Sequence, residues 1–167
     1  PQAAKDPVVI AAQLVGALQT LVSRNANPMD AAVLSITQIH TGSTHNVIPD
    51  EAYLNGTVRT FRPEVQEMMV AGIRRIVDGI AAAFDVSIDI DYQYGYPATV
   101  NHAEQAETAA RVAEAVVGAG NVQRDVEPSL GGEDFAYLLN ARPGAYLFLG
   151  QAGGASGAMI HNPHYDF

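Results

Sequence analysis

The chain has 167 residues, 48% hydrophobic and 16% charged, which is enough apolar material for a core and too little charge for disorder. Its 18 acidic residues outnumber 9 basic ones, and the resulting −9 argues against a nucleic-acid partner, because phosphate binding needs a clustered basic face. With no cysteine, disulfides, thiolate catalysis and cysteine-ligated zinc are excluded, and a cytoplasmic setting is expected. No uninterrupted apolar run approaches the ~20 residues of a membrane span, so no membrane partner is expected either. The start, Pro1-Gln2-Ala3-Ala4-Lys5, resembles neither a signal peptide nor a natural N-terminus and reads as a cut end.

In chain order, Asp6-Pro7 opens a helix, with Asp as N-cap and Pro at the first helical position. Ile10, Leu14, Ala17, Leu18 and Leu21 then recur at three- and four-residue steps to about Ser23. Residues 31–40 read as a strand, 41–50 as a loop and 52–61 as a second strand. Leu54 and Val58 fall on one face of that strand, Asn55, Thr57 and Arg59 on the other. A second helix follows Pro63, with Val65, Met69, Ile73, Ile76, Ile80 and Phe84 as its stripe. Residues 86–94 carry the cleanest strand pattern, Val86, Ile88, Ile90, Tyr92 and Tyr94 alternating with Ser87, Asp89, Asp91 and Gln93.

One more strand at the start of this α-β-β-α-β order would make β-α-β-β-α-β, a ferredoxin-like split βαβ sandwich whose first strand is missing. Both helices would cover one face of an antiparallel sheet, leaving Ser35, Thr37, Asn55, Thr57 and Arg59 on the other. Its open edge invites pairing with a second copy. Tyr96-Pro97 marks a change of character. A helix over 102–118, a short strand near Val122, a helix from Glu133 to Leu139 and a buried strand from Ala145 to Leu149 describe a partial α/β layer.

Candidate chemistry concentrates near the end. His161 follows the glycine-rich stretch 150–157 at a predicted strand end, a place suited to a metal ligand or to a histidine that only caps a loop. Glu133 and Asp134 follow Gly131-Gly132 at a predicted helix start, where they are capping carboxylates or part of an anion-binding turn. The glycines at 150, 153, 154 and 157 make no phosphate loop, since no Lys-Ser or Lys-Thr follows. In loop 41–50, His45-Asn46 together with Arg59 offers neutral donors and a fixed cation for a carboxylate or a polarised carbonyl. An Asx turn beside a surface arginine is the competing reading.

Six stretches together resemble the M20 metallopeptidases. They are Asp6-Pro7-Val8-Val9-Ile10-Ala11-Ala12, Asn46-Val47-Ile48-Pro49-Asp50, Gly56-Thr57-Val58-Arg59-Thr60-Phe61, Tyr96-Pro97-Ala98-Thr99-Val100-Asn101, Gly132-Glu133-Asp134-Phe135 and His161-Asn162-Pro163. The branch is that of aminoacylases, hippurate hydrolases and auxin-conjugate amidohydrolases. The resemblance implies a dimerisation or lid domain over 1–97 and the C-terminal part of a metal-dependent catalytic domain over 98–167. It implies that His161 is a metal ligand, that Asn46 is catalytic, and that Arg59, Gly131, Gly132 and Glu133 bind substrate. Two divalent metals (zinc, manganese, cobalt or nickel), a homodimer and an N-acyl amino acid substrate follow from the same source. The family's other metal ligands, its catalytic glutamate and its lid histidine have no counterpart in this chain, and His45 does not occupy that histidine's position. The chain alone is therefore expected to be inactive. The alternative is a non-catalytic dimerisation or ligand-binding module without the metal centre.

Overall fold

The structure is a computed structural model that describes residues 2–150, 157–158 and 160–165. The expected glycine-rich stretch at 150–157 lies mostly outside these residues. The chain divides into two compact units, Pro1–Ala98 with Pro128–Asp134, and Thr99–Glu127 with Phe135–Phe167.

In the first unit, helix α1 spans Pro7–Thr20, and the Asp6 carboxylate accepts the Val8 N–H at 2.9 Å as its cap. The helix widens into a π-turn, Leu21–Asn25, which turns Leu21 fully into the core. Strands β1 (Ala32–Thr41) and β2 (Ala52–Thr60) form an antiparallel hairpin. Helix α2, Pro63–Phe84, follows with proline at its first turn and ends at Asp85, whose φ of 53° is left-handed. Leu14, Leu18, Leu21, Leu34, Met69 and Val77 form the buried cluster, with Ile36, Leu54 and Val58 packed against it. Both helices therefore cover one face of the hairpin. Each fully buried leucine or methionine of such a cluster contributes about 1.5–3 kcal/mol.

Two glycines set close approaches. A Cβ on Gly72 of α2 would lie 2.4 Å from Leu21 Cδ2, so the missing side chain admits the π-turn leucine. A Cβ on Gly56 would lie 2.2 Å from the Ser35 carbonyl oxygen across the hairpin. Gly56 pairs with Ile36 and Asn55 with Gln38, which leaves Thr37 as the surplus residue of a β-bulge. Lys5 donates to both the carbonyl and, at 2.6 Å, the carboxylate of Asp85, tying the start of α1 to the end of α2. That hydrogen bond and the ammonium charge hold the Asp85 carboxyl below its usual range.

The first unit departs from the sequence expectation in two places. Residues 86–94 keep the alternating burial, with Val86, Ile88, Ile90 and Tyr92 half-buried and Ser87, Asp89, Asp91 and Gln93 exposed, yet they are not a strand. Period two follows from which side chains reach the core, whereas a strand also needs a neighbour to complete its ladder. Among the described residues the sheet has two strands, β1 and β2. The second departure concerns the first helix. Pro7–Asn25 is long and apolar enough by length and composition to cross a membrane, although no uninterrupted apolar run suggests it. Its stripe (Ile10, Leu14, Leu18 and Leu21) is buried inside this unit.

The second unit holds α3, Ala103–Val117, a 3₁₀ turn at Ala119–Asn121 and α4, Phe135–Ala141. Arg124 bridges Glu114 at 2.8 Å and Glu107 at 2.5 Å, and the hydrogen bond to the guanidinium lowers the Glu114 carboxyl. The last helix begins two residues later than expected, so Glu133 and Asp134 precede it rather than form its first turn. Neither the short strand near Val122 nor the buried strand 145–149 is present. Phe148 is 71% and Leu149 95% exposed, because no described strand lies alongside to cover them. The side chain of Asn101 does grip this segment, donating to the Tyr146 carbonyl at 2.9 Å and accepting its N–H at 2.7 Å. The His102 N–H donates to the Gly144 carbonyl at 3.1 Å. His102 Nδ1 lies 3.3 Å from both the Gly144 N–H and the Gly144 carbonyl, so the ring meets this residue in either tautomer.

Candidate functional site

Within the first unit, Arg59 meets the segment that carries the sequence-predicted Gly131, Gly132 and Glu133. Its position on β2 places it on the hairpin face away from the helices, in register with Val33. Nη1 donates to the Leu130 carbonyl at 3.0 Å, across 71 residues of sequence. Gly132 sits beside this contact, where a Cβ would be 3.7 Å from Arg59 Nη1 and 3.3 Å from Tyr96 Cδ2. Gly131 is fixed by its N–H donating to Ser129 Oγ at 3.2 Å. Glu133 follows in the same segment, yet no carboxylate lies within 4.0 Å of Arg59 among the described residues. The partner of this guanidinium is thus a neutral carbonyl, with no described carboxylate in ion-pair contact.

Asn46 belongs to a different place. Loop 42–51 and the start of α1 border a concavity of about 730 Å³, lined among others by Asp6, Val8, His45, Asn46 and Val47. Thr44 Oγ1 donates to Asn46 Oδ1 at 3.3 Å, and Thr41 Oγ1 anchors the loop by donating to the Glu51 carbonyl at 2.8 Å. Asn46 and Arg59 lie toward opposite ends of the hairpin. At ~3.4 Å per residue, the seven steps from Ala52 to Arg59 cover roughly 24 Å.

His161 belongs to the second unit, in a tight turn. Its φ of 66° is left-handed, a conformation uncommon for non-glycine residues, among which histidine is one of the more tolerant. The turn is closed by Tyr165 N–H donating to the Asn162 carbonyl and by His164 N–H donating to Asn162 Oδ1, both at 2.9 Å. The imidazole is exposed. Among the described residues, no three His, Asp or Glu side chains gather as a metal-binding group, so the described residues alone do not form a metal centre. Sequence reasoning missed Leu130 as the partner of Arg59 and Tyr96 as a neighbour of Gly132. A backbone carbonyl carries no sequence signal, and Tyr96 stood out only as the start of the stretch 96–101, with no role of its own.

The comparisons with known proteins agree with the resemblance. The profile of peptidase family M20/M25/M40 matches residues 5–167. The N-acetyl-L-cysteine deacetylase of Bacillus subtilis (strain 168) is 41% identical over 89% of this chain and 35% of its own length. Hippurate hydrolase of Campylobacter jejuni is 35% identical over the whole chain and 43% of its own length. Among solved structures, the Bacillus subtilis YXEP protein, described as a dinuclear metal-binding peptidase of the M20 family, superposes with a TM-score of 0.64. It is 35% identical, over 83% of this chain and 35% of that one. The chain thus spans less than half the length of the relatives it matches. With residues 5–167 inside the family profile, the chain belongs to peptidase family M20/M25/M40.

Proposed function

We propose that this chain serves as the substrate-orienting part of a metal-dependent amidohydrolase that cleaves N-acyl amino acids through a metal-activated water. The observation that carries this reading is Arg59, a cation held by a neutral carbonyl beside two glycines, with no described carboxylate in ion-pair contact. Such a guanidinium is suited to the carboxylate of an amino-acid product or substrate. Residues 1–97 act as a split βαβ dimerisation lid and 98–167 as the C-terminal part of a cytoplasmic catalytic domain. His161 supplies one metal ligand, the remaining donors coming from beyond the described residues. Asn46 donates to the developing oxyanion.

In this reading Asn46 and Arg59, toward opposite ends of the hairpin, serve different active sites of a homodimer, Asn46 the partner's, and the roughly 24 Å length of β2 between those ends supports it. Arg59→Ala in the active enzyme should raise KM for substrates with a free carboxylate while sparing their carboxamides. An unchanged preference would sink the assignment. Mixing Asn46→Ala and Arg59→Ala protomers, assayed at a low concentration of a carboxylate substrate where each alone turns over little, should restore up to about a quarter of the activity, because a mixed dimer keeps one site with both residues intact. No recovery on mixing would place both residues at one site or remove one from the machinery.

A second reading is a binding module without catalysis. The Arg59 geometry favours it, because a guanidinium held by a carbonyl needs no metal to take up a carboxylate. Turnover of hippurate or an N-acetyl amino acid by the metal-loaded enzyme excludes it. Carboxylate binding without turnover supports it.

A further inference from the structure

The start of α1 and the end of α2 border a second concavity in the first unit, of about 280 Å³, lined by Ala4, Lys5, Asp6, Val9, Ile10 and Phe84. Four of these six are apolar, and Lys5 among them is the one lysine of the chain. An ammonium carries three N–H donors. The carbonyl and the carboxylate of Asp85 take two of them, which leaves the third without a partner among the described residues. The other charged group of the lining, the Asp6 carboxylate, is turned to the Val8 N–H at 2.9 Å. We propose that this concavity binds a small monocarboxylic acid with an apolar tail, the carboxylate on Lys5 and the tail against Val9, Ile10 and Phe84. The site involves neither Arg59 nor Asn46 and stands whether or not those residues meet a substrate.

Size and charge together define the ligand. Drug-sized molecules fill clefts of roughly 300–1,000 Å³, so a space of about 280 Å³ suits a short alkyl chain or a single aromatic ring. Apolar walls favour such a tail, and the ammonium at their edge favours an acid over an amide or an alcohol. Asp85 is the competitor for Lys5, and it is a weak one. Its side chain is 93% exposed and that of Lys5 53%, and an ion pair so open to water holds its partners loosely. A ligand that buries a tail as well as meeting the ammonium gains what the Asp85 carboxylate cannot. Asp85 then returns to solvent, where its charge is fully hydrated.

The test is a titration of the 167-residue chain, labelled with ¹³C-lysine, with sodium hexanoate at millimolar concentrations and constant ionic strength, hexanamide serving as the uncharged control. One lysine gives one Cε signal, which hexanoate should shift and hexanamide should not. Along the series from acetate to hexanoate, each added methylene should tighten binding about threefold to fourfold. Asp85→Asn removes the competing acid and keeps a residue that accepts the left-handed φ of 53°, so it should tighten hexanoate binding severalfold. Lys5→Gln, followed through the methyl signals of Val9 and Ile10, should abolish the preference for hexanoate over hexanamide. Arg59→Gln should leave the titration unchanged. Retained backbone resonances of β1 and β2 confirm that each variant is folded, and Asp85→Asn serves if Lys5→Gln is not. A Lys5 signal unmoved by hexanoate would overturn the site. Equal responses to acetate and hexanoate would overturn it too, since they reduce the effect to an ion meeting a surface lysine.

Discussion

Arg59 and Gly132 illustrate how little of a site is written at any one position. Arg59 is an ordinary strand residue by pattern, and its distinction is that it meets a carbonyl 71 residues away instead of an acid. Nothing in the local sequence of either segment encodes that pairing, which is why the sequence named both residues as candidates yet could not put them side by side. Gly56 makes the converse case, a residue whose demand is wholly steric. An alanine there places its Cβ against the Ser35 carbonyl at 2.2 Å, and backbone cannot step aside cheaply. Gly56→Ala should cost about 2–4 kcal/mol in urea unfolding. Gly79→Ala, on an exposed helical turn with open space around it, should instead gain about 0.5–1 kcal/mol. Equal effects at the two positions would refute the packing argument. His161 sits in a left-handed turn, and His161→Ala should reduce metal occupancy measured by elemental analysis of the active enzyme. Both metals retained in full would take it off the ligand list.

At the scale of elements, α1, β1, β2 and α2 were legible because each writes its periodicity and its caps directly into the chain. Asp6-Pro7 and Pro63 mark helix starts, and the observed starts at Pro7 and Pro63 follow them. Residues 86–94 and 145–149 mark the limit of that reading, since apolar alternation or an apolar run encodes a preferred environment and cannot supply the neighbouring strand. Hydrogen exchange should separate the two cases. Amides 87–94 should exchange far faster than those of Leu34 and Val58, despite equal regularity in burial. Protection of 87–94 equal to that of β2 would mean a ladder exists there. The Lys5–Asp85 clasp between α1 and α2 is a contact of another kind, electrostatic and exposed. Asp85 has a folded-state pKa below the ordinary aspartate value of 3.8, so its contribution is present above that pH and lost as pH falls through the lower folded value. Lys5→Ala should therefore lower stability slightly at pH 7 and lose its effect in strong acid. A deficit that persists undiminished in acid would show that the lysine acts through packing.

For the molecule as a whole, the two units differ in how they are held together. The first has a buried cluster drawn from two helices and a hairpin. The second relies more on surface ion pairs around Arg124 and on the Asn101 and His102 contacts to 144–146, with only Ala136 and Leu139 buried among its described hydrophobic residues. Composition alone predicted enough apolar material for a core but could not apportion it. The family was legible because short motifs of unrelated chemistry recur in one order across nearly the whole chain, and no single one of them would have sufficed. Heat or urea should accordingly loosen the second unit before the first. Loss of the Tyr146 and Phe148 ring signals together with those of β1 in a single transition would contradict that order.

The bulge at Thr37 bears on how the hairpin tolerates change in length. In a regular ladder, gaining or losing one residue exchanges the two faces, and Leu34 or Leu54 would turn from the helices toward water. Opposite Gly56 and Asn55, β1 already accommodates one residue more than its partner. Removing Thr37 would restore simple pairing and leave every other side chain on its present face, changing only the local twist. Length variation among related chains can therefore enter β1 at this point and re-aim the loop that carries Asn46 without disturbing the core beneath it.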